Sequence, residues 1–335
     1  MIPLSVLDLS FVTAGGSGAA ALHNSLDLAR LADRLGFLRY WVAEHHNLPS
    51  IASSAPEIMI GQIAAATSRL RVGSGGVMLP NHAPLMVAER FKVLEALFPG
   101  RIDLGIGRAP GTDPVTSYAL RARQEVRAED DFLERFQELM LWESGGFPAN
   151  HPFRNVRAMP ADVPLPPVWL LGSSDYSAEL AAAIGAGFAF AHHFASYDAV
   201  AAMTSYRARF RPSAWRQEPY AILAVAVVCA PSDAEAERLA STVELNYVRR
   251  SKGEYLPLAS PEEAAAYPFS EADRRHISRN RARVFVGSPD TVRARLTPLV
   301  EASQADEVMI TSAIYDHAAR KRSYELMAQA FGIAR

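Results

Sequence analysis

The feature that most constrains the fold is a repeated alternation of short β-rich runs with longer helical patterns. The β-rich runs occupy residues 4–10, 39–43, 70–75, 102–106, 168–171, 187–191, 220–229 and 307–311. Helical patterns cover 20–35, 56–68, 84–97, 117–142 and 316–331, and others begin at 173–175, 232–235 and 287–290. Strands that alternate with helices are typical of βαβ units. Eight such units close more naturally into a barrel than into an open sheet, so the sequence predicts an α/β fold, a (β/α)8 TIM barrel.

The length fits one such barrel with additions. The 335 residues, of which 49% are hydrophobic, predict a single domain over 1–335 with a sizeable core. Two stretches fit the strand and helix pattern poorly and are interpreted as insertions, near 109–167 and 248–283. The first contains a proline-rich excursion over the surface, and the second, which is polar and rich in arginine, is a candidate lid.

Charge and cysteine content exclude several classes of partner. The formal net charge is −2, which offers no electrostatic footprint for nucleic acid or for an anionic membrane. No apolar segment has the length that a spanning helix needs. The single cysteine, Cys229, lies in an apolar run and is expected to be buried rather than reactive. The first eleven residues lack the basic region of a signal peptide, so we expect a cytoplasmic enzyme with a small-molecule substrate.

Polar residues follow the predicted strands at the points where an α/β barrel builds its active site. Since that site forms at the carboxyl ends of the strands, these residues should converge on one face. They are Glu44, His45 and His46 after the second strand, Gly75, Gly76, Asn81 and His82 after the third, Gly107 and Arg108 after the fourth, Gly172, Ser173 and Ser174 after the fifth, and His192 and His193 after the sixth.

Strand alternation divides each histidine pair. Successive side chains on a strand point to opposite faces, so His45 shares a face with Trp41 and Ala43, while His46 shares the other with Val42 and Glu44. Only one histidine of each pair should enter the barrel. For any single histidine the competing interpretation is a hydrogen-bonded structural residue, and two pairs at equivalent strand ends weaken it.

Two other site types are considered and disfavoured. Imidazole and carboxylate are good metal ligands, but no H-E-x-x-H helix is present and the first strand lacks histidine, so we predict no metal site and metal-dependent hydrolysis is a minor hypothesis. The segment 16–21 matches G-x-G-x-x-A, with Glu44 as a possible ribose partner, but eight strands do not suit a dinucleotide-binding half-domain.

Arg108 and the Gly172–Ser174 segment are candidates for one anion site. Arginine offers a fixed fork to a phosphate, and a helix that starts after glycine and serine presents free N–H groups. Serine as an ordinary helix cap and arginine in a surface ion pair explain the same residues equally well. Apolar side chains would line a cavity above this site. The candidates are Phe11, Met78, Leu79, Phe190 and Phe194, although any one of them, taken alone, is more often a core residue.

Three segments together resemble the bacterial luciferase-like flavin monooxygenases. They are 41–46 (WVAEHH), 72–80 (VGSGGVMLP) and 100–108 (GRIDLGIGR). Their order and spacing match over nearly the whole barrel, and 170–174 (LLGSS) with 188–193 (FAFAHH) resembles the non-luminescent branch of the family.

The resemblance implies a cofactor and roles for individual residues. The cofactor is FMN, used in reduced form (FMNH2) with O2 and supplied by a separate flavin reductase. His45 matches the catalytic histidine, with Glu44 and His46 as supporting candidates. Arg108 and Ser173 match phosphate-binding positions, beside Gly172, Ser174 and Tyr176. Gly75 and Gly76 match a non-prolyl cis peptide beneath the flavin ring. Gly107 stands where luciferase has a cysteine.

The function implied is that of an FMNH2-dependent, two-component monooxygenase that uses O2 on a small, mostly apolar organic substrate through a peroxyflavin. Phe11, Met78, His192 and His193 are the substrate candidates, and the resemblance favours a homodimer. Two alternatives stay open: F420-dependent hydride transfer, which the same family includes, and a non-catalytic flavin-binding protein.

Overall fold

A computed structural model of the protein describes residues 2–109, 111–121 and 131–334. Within these ranges the strands are β1 Leu4–Asp8, β2 Arg39–Val42, β3 Arg71–Ser74, β4 Val77–Met78, β5 Ile102–Gly107, β6 Val168–Gly172, β7 Gly187–Ala191, β8 Ala221–Cys229, β9 Val284–Gly287 and β10 Glu307–Thr311. The helices are α1 Gly18–Leu35, α2 Pro56–Ala66, α3 Pro84–Leu97, α4 Pro114–Leu120, α5 Phe132–Ser144, α6 Asp175–Ile184, α7 Ala199–Arg209, α8 Asp233–Ser251, α9 Pro261–Ala266, α10 Glu271–Arg281, α11 Pro289–Ser303 and α12 His317–Ala330.

Eight parallel strands form a closed barrel, which confirms the predicted (β/α)8 fold. Their order is β1, β2, β3, β5, β6, β7, β8 and β10, and β10 closes the ring by pairing with both β8 and β1. The two remaining strands of the described ranges extend this ring: β4 pairs with the end of β5, and β9 pairs with the last four residues of β8. Strand β8 is nine residues long. Its first half pairs within the barrel, and its second half pairs with β9.

The barrel interior is filled by large side chains from alternate strand positions. Leu7, Trp41, Trp169, Ile222 and Met309 pack together there, and the two indole rings meet edge to face with centroids 5.5 Å apart. Layers of inward-pointing side chains make such a barrel a packed core rather than a pore.

The amino end of the barrel is closed by a buried ion-pair network. The Arg39 guanidinium donates to Asp103 Oδ2 at 2.7 Å and to Glu307 Oε2 at 3.0 Å, and Arg71 pairs with the other oxygen of Asp103 at 2.6 Å. Each buried charge therefore has a partner, which is the condition for tolerating charge in a core. Open space is left at the carboxyl end.

Several predicted boundaries are wrong. The helix expected over 117–142 is represented by α4 and α5, and residues 122–130 between them lie outside the described residues. Helix α4 begins earlier because Asp113 caps it, accepting hydrogen bonds from the N–H groups of Val115 and Thr116, with Pro114 in the first position.

The segment 248–283 contains helices that the sequence analysis missed. Helix α8 continues to Ser251, and α9 and α10 follow. Asp273 is the sole buried residue of α10, so this helix has no apolar stripe by which to recognise it. Its capping box, formed by Ser270 and Asp273, was the available signal. Helix α7 and strand β9 were also missed.

None of the helices in the described ranges has the length and apolar character that crossing a bilayer requires.

Candidate active site

A cavity of about 510 Å³ lies at the carboxyl end of the barrel, where the sequence predicted that polar residues converge. Most of the predicted site residues line it: Phe11, His45, Gly75, Gly76, Met78, Gly107, Arg108, Gly172, Ser173, Ser174 and His193. Six are not in the lining: Glu44, His46, Asn81, His82, Tyr176 and His192. One histidine of each pair, His45 or His193, lines the cavity as predicted, although β2 ends at Val42 and β7 at Ala191, before either pair.

The apolar wall is correct in part. Phe11, Met78 and Phe194 line the cavity, whereas Leu79 and Phe190 are fully buried in the main core and do not. Phe190 alternates along β7 with Ala189 and Ala191, which do face the cavity. Its own ring therefore points outward, into the layer between the barrel and the helices.

His45 is held in one tautomer by the loop after β5. Its Nδ1 lies 3.2 Å from the carbonyl oxygen of Gly111, and its backbone N–H donates to the carbonyl of Ser53 at 2.9 Å. A carbonyl only accepts, so Nδ1 carries the hydrogen and Nε2 of the neutral ring keeps a lone pair. Burial lowers the pKa of His45 below its ordinary 6.5, and the positive charge of Arg250 acts in the same direction. The ring is therefore a neutral proton acceptor at pH 7.

Glu44 is a buried anchor behind the cavity wall. Its Oε1 accepts from His46 Nε2 at 2.9 Å and from His82 Nε2 at 2.8 Å, and its Oε2 accepts from the backbone N–H of Met78 at 2.8 Å. Burial opposes ionisation, but these hydrogen bonds outweigh it and lower the pKa of Glu44 to about 2. The carboxylate thus ties β2 to the segment that follows Gly76. His82 is one of the polar residues that follow the third predicted strand.

Glycines make the cavity floor a close contact between two backbones. The Gly75–Gly76 peptide bond is cis, at the position that the family resemblance indicated. A Cβ on Gly76 would lie 2.8 Å from the carbonyl oxygen of Gly105, and one on Gly107 would lie 2.9 Å from Met78 Sδ. A side chain at either position would collide with these neighbouring atoms, so both positions favour glycine and the floor there consists of backbone alone.

The Arg108 side of the cavity is suited to an anion. Ser174 is the N-cap residue of α6 but its side chain makes no capping hydrogen bond, and both Ser173 and Ser174 line the cavity. The Arg108 guanidinium lies over the Tyr176 ring, 4.5 Å from its centroid, so Tyr176 contacts this arginine from outside the lining. Strands β5 and β6 are neighbours, which brings Arg108 and the start of α6 together. Free N–H groups, hydroxyls and a guanidinium form a favourable phosphate site.

The second histidine pair divides as the first does. Burial lowers the pKa of His193 to about 4, and its Nδ1 lies 3.2 Å from the carbonyl oxygen of Ala224, so the ring is neutral at pH 7. His192 is half-buried and packs near the Phe285 ring instead. Among the described residues, no group of three or more His, Cys, Asp and Glu side chains is placed to hold a metal ion.

The sequence analysis missed one wall of the cavity. It consists of Val243, Asn246, Tyr247 and Arg250 on α8, with Thr311 at the end of β10. The α8 residues have the spacing of a single helix face, which was the available signal. It was overlooked because the end of this helix was interpreted as part of an insertion.

Comparison with known proteins identifies relatives over nearly the whole chain. The profile described as "Luciferase-like monooxygenase" matches residues 2–306. The luciferase-like monooxygenase of Escherichia coli (strain K12) is 43% identical over 325 residues, covering 97% of this chain and 96% of that protein. The N-acetyl-S-alkylcysteine monooxygenase of Bacillus subtilis (strain 168) is 35% identical over 334 residues, covering 98% of each. The structure of apo-MsnO8 superposes with a TM-score of 0.90 at 40% identity, covering 100% of this chain and 99% of that one.

Proposed function

The chain belongs to the luciferase-like monooxygenase family, and on that premise we propose that it is the oxygenating component of a two-component flavin monooxygenase. A separate cytoplasmic reductase supplies reduced FMN, which this chain uses with O2 to oxygenate a small, mostly apolar organic substrate. One observation carries the proposal: a glycine floor, an anion site and a neutral histidine meet in a single cavity.

The residues present fit FMN. Gly75, Gly76 and Gly107 line the cavity with backbone alone, which would let a flat ring approach closely. Arg108 and the start of α6, with Ser173 and Ser174, would hold the phosphate. When bound, reduced FMN supplies the electrons that activate O2.

His45 is the residue that we assign to proton transfer. Its Nε2 keeps a lone pair while Nδ1 is held by Gly111, so the ring can accept a proton at Nε2 and return it without turning. Glu44 is a positioning residue, because it holds the N–H of Met78 and thereby the backbone next to the glycine floor. Apolar side chains such as Phe11, Leu9 and Met309 line the same space and keep water away from the reaction.

A homodimer is part of the proposal. Met86, Val93 and Leu97 are exposed on α3 at the spacing of one helix face, and Ile58 is exposed on the neighbouring helix α2. Exposed apolar side chains that cluster in this way mark interaction surfaces. Multi-angle light scattering measures the mass, and a 36.5 kDa particle at micromolar concentration would contradict the dimer.

The test of function mixes the protein with photoreduced FMN and then with O2. We expect flavin reoxidation to be slower than that of free FMNH2, although without substrate all of the hydrogen peroxide is eventually released. Reoxidation at the free rate would refute oxygenation. Titration with FMN and F420 separates the alternatives: binding of F420 alone indicates hydride transfer, and FMN binding without any effect on reoxidation indicates a non-catalytic flavin protein.

A further inference from the structure

The wall formed by α8 and the end of β10 is a built surface that the flavin-binding residues do not account for. Val243, Asn246, Tyr247 and Arg250 all line the cavity, at positions i, i+3, i+4 and i+7 of one helix. This face changes from apolar at Val243 to cationic at Arg250, which is exposed at the cavity rim.

The part of the fold beyond the barrel holds this wall in place. Strand β9 pairs with the end of β8, and a small core that includes Val228, Leu239, Val284 and Ile314 packs α8 against them. The same elements bring Val227, Val228 and Val284 into the cavity lining. An apolar surface therefore leads from the barrel toward the polar end of the α8 face.

Arg250 differs from the cations around it. Arg249 pairs with Glu263, Lys252 with Asp273, and Arg281 with both Glu237 and Glu244. The Arg250 side chain has no hydrogen bond or ion pair with any residue in 2–109, 111–121 or 131–334. A guanidinium without a carboxylate partner at the rim of a mostly apolar cavity is suited to an anionic ligand.

Thr311 supplies a second, independent observation. Its side chain lines the cavity and is 7% exposed, yet Oγ1 has no hydrogen-bond partner in the described part of the chain. Buried hydroxyls are normally paired, so an unpaired one that faces a cavity marks a place for a polar ligand atom.

This polar wall lies across the cavity from the phosphate site. Strand β10 is four strands away from β5 in either direction around the ring, so Thr311 stands opposite Arg108. Arg250 is close enough to His45, which follows β2, for its charge to act on that ring. The polar wall and Arg108 therefore belong to different parts of the cavity lining.

We propose that Arg250, with Asn246 and Thr311, forms a subsite for an anionic end of the organic substrate, a carboxylate or an oxyanion of similar size. The apolar part of the substrate then extends along Val227, Val228 and Val284 toward the glycine floor. The assignment rests on the proposed function, since it takes the ligand beside the flavin to be the substrate. It narrows the substrate class to apolar molecules with one negatively charged end.

The test compares octanoate with octanamide, which has the same chain length but no charge, by isothermal titration calorimetry of the full-length protein with and without FMN. A charge-assisted pair predicts that octanoate binds about 10- to 100-fold more tightly. R250A should abolish this preference and R250K should restore part of it. R238A removes the same charge from the outer part of α8, where Arg238 pairs with Glu235, and should change nothing.

Equal affinity for the two ligands, or a preference that R250A leaves intact, overturns the proposal. So does a loss of FMN or F420 affinity in R250A as large as the loss for octanoate, because Arg250 would then bind the cofactor. Failure of the proposed function is seen separately: wild-type protein that binds octanoate through Arg250 but binds no flavin retains the subsite and loses the flavin assignment.

Discussion

Replacement of Glu44 by glutamine tests whether a buried carboxylate maintains the cavity floor. Glu44 is fully buried, and its two oxygens accept hydrogen bonds from His46, His82 and the N–H of Met78. Glutamine has nearly the same shape but places an NH2 donor where one carboxylate oxygen accepts. At least one of the three donors then loses its acceptor, and the other hydrogen bonds lose their charge.

The size of the effect follows from the pKa of Glu44. Burial raises it, but the hydrogen bonds prevail and lower it from an ordinary 4.5 to about 2. Since a tenfold change in an ionisation constant is worth about 1.4 kcal/mol, the ionised carboxylate stabilises the folded state by on the order of 3 kcal/mol. The folded-state pKa is the lower one, so this stabilisation is complete above about pH 4.5 and is lost as the pH falls toward 2.

Urea denaturation at several pH values measures the difference. We expect E44Q to be less stable than wild type by about 3 kcal/mol at pH 7, with the gap narrowing below pH 4.5. E57Q is the matched control, because Glu57 pairs with Arg90 near the surface of α2 and its loss should cost about 1 kcal/mol or less. Equal stability of E44Q and wild type at pH 7, or a gap that does not narrow in acid, would show that Glu44 is not the anchor described.

Four further changes probe the site and the surface. H45A should keep its FMN affinity but lose about 10²- to 10⁴-fold in turnover of any substrate that wild type accepts, and the wild-type rate should fall only below pH 6.5, as the ring becomes protonated; an unchanged rate would remove His45 from the chemistry. R108A should weaken FMN binding about 10- to 100-fold in fluorescence titrations, and unaltered affinity would place the phosphate elsewhere. G105A should unfold at a lower temperature than wild type, because its Cβ would collide with the carbonyl oxygen of Ser74; calorimetry with no shift would contradict this contact. L97E should convert the proposed dimer to monomers in light scattering, whereas a dimer that persists would exclude this face of α3.

The sequence was sufficient for the barrel and for much of the candidate site, because both depend on local regularities. Extending the strand alternation past the end of β2 predicts that His45 and His46 face different ways, as they do, although both follow the strand and are held by Gly111 and Glu44. The strand-end rule located Arg108 and Ser173, since in a closed parallel barrel all carboxyl ends lie at one end. Neither inference requires knowledge of how the helices pack against the barrel.

The cavity wall formed by α8 could not be predicted without knowing how the helices pack. Asn246 and Arg250 read as solvated positions of a polar helix, and only the packing of α8 against β9 turns their face toward the cavity. Strand β9 has four residues and is followed at once by the cap of α11, so its sequence gave no sign that it would extend β8 beyond the barrel. The sequence around Thr311 gives no signal either, because whether a hydroxyl finds a hydrogen-bond partner depends on the residues that surround it in the fold.

Buried charges at the amino end of the barrel are paired, whereas Arg250 at the carboxyl end has no acidic partner among the described residues. We relate the first arrangement to stability and the second to ligand binding. At the amino end, Arg39 meets both Asp103 and Glu307, and removing one partner would leave a buried charge that costs about 3 to 5 kcal/mol. At the carboxyl end, Arg250 has no acidic partner among the described residues, and solvent at the cavity rim makes that state tolerable until a ligand arrives. A cation without an acidic partner can gain one when a ligand binds, whereas a cation that already has an acidic partner must first lose it. The paired charges at the amino end therefore stabilise the closed barrel. In our proposal, Arg250 at the carboxyl end selects substrates that carry a negative charge.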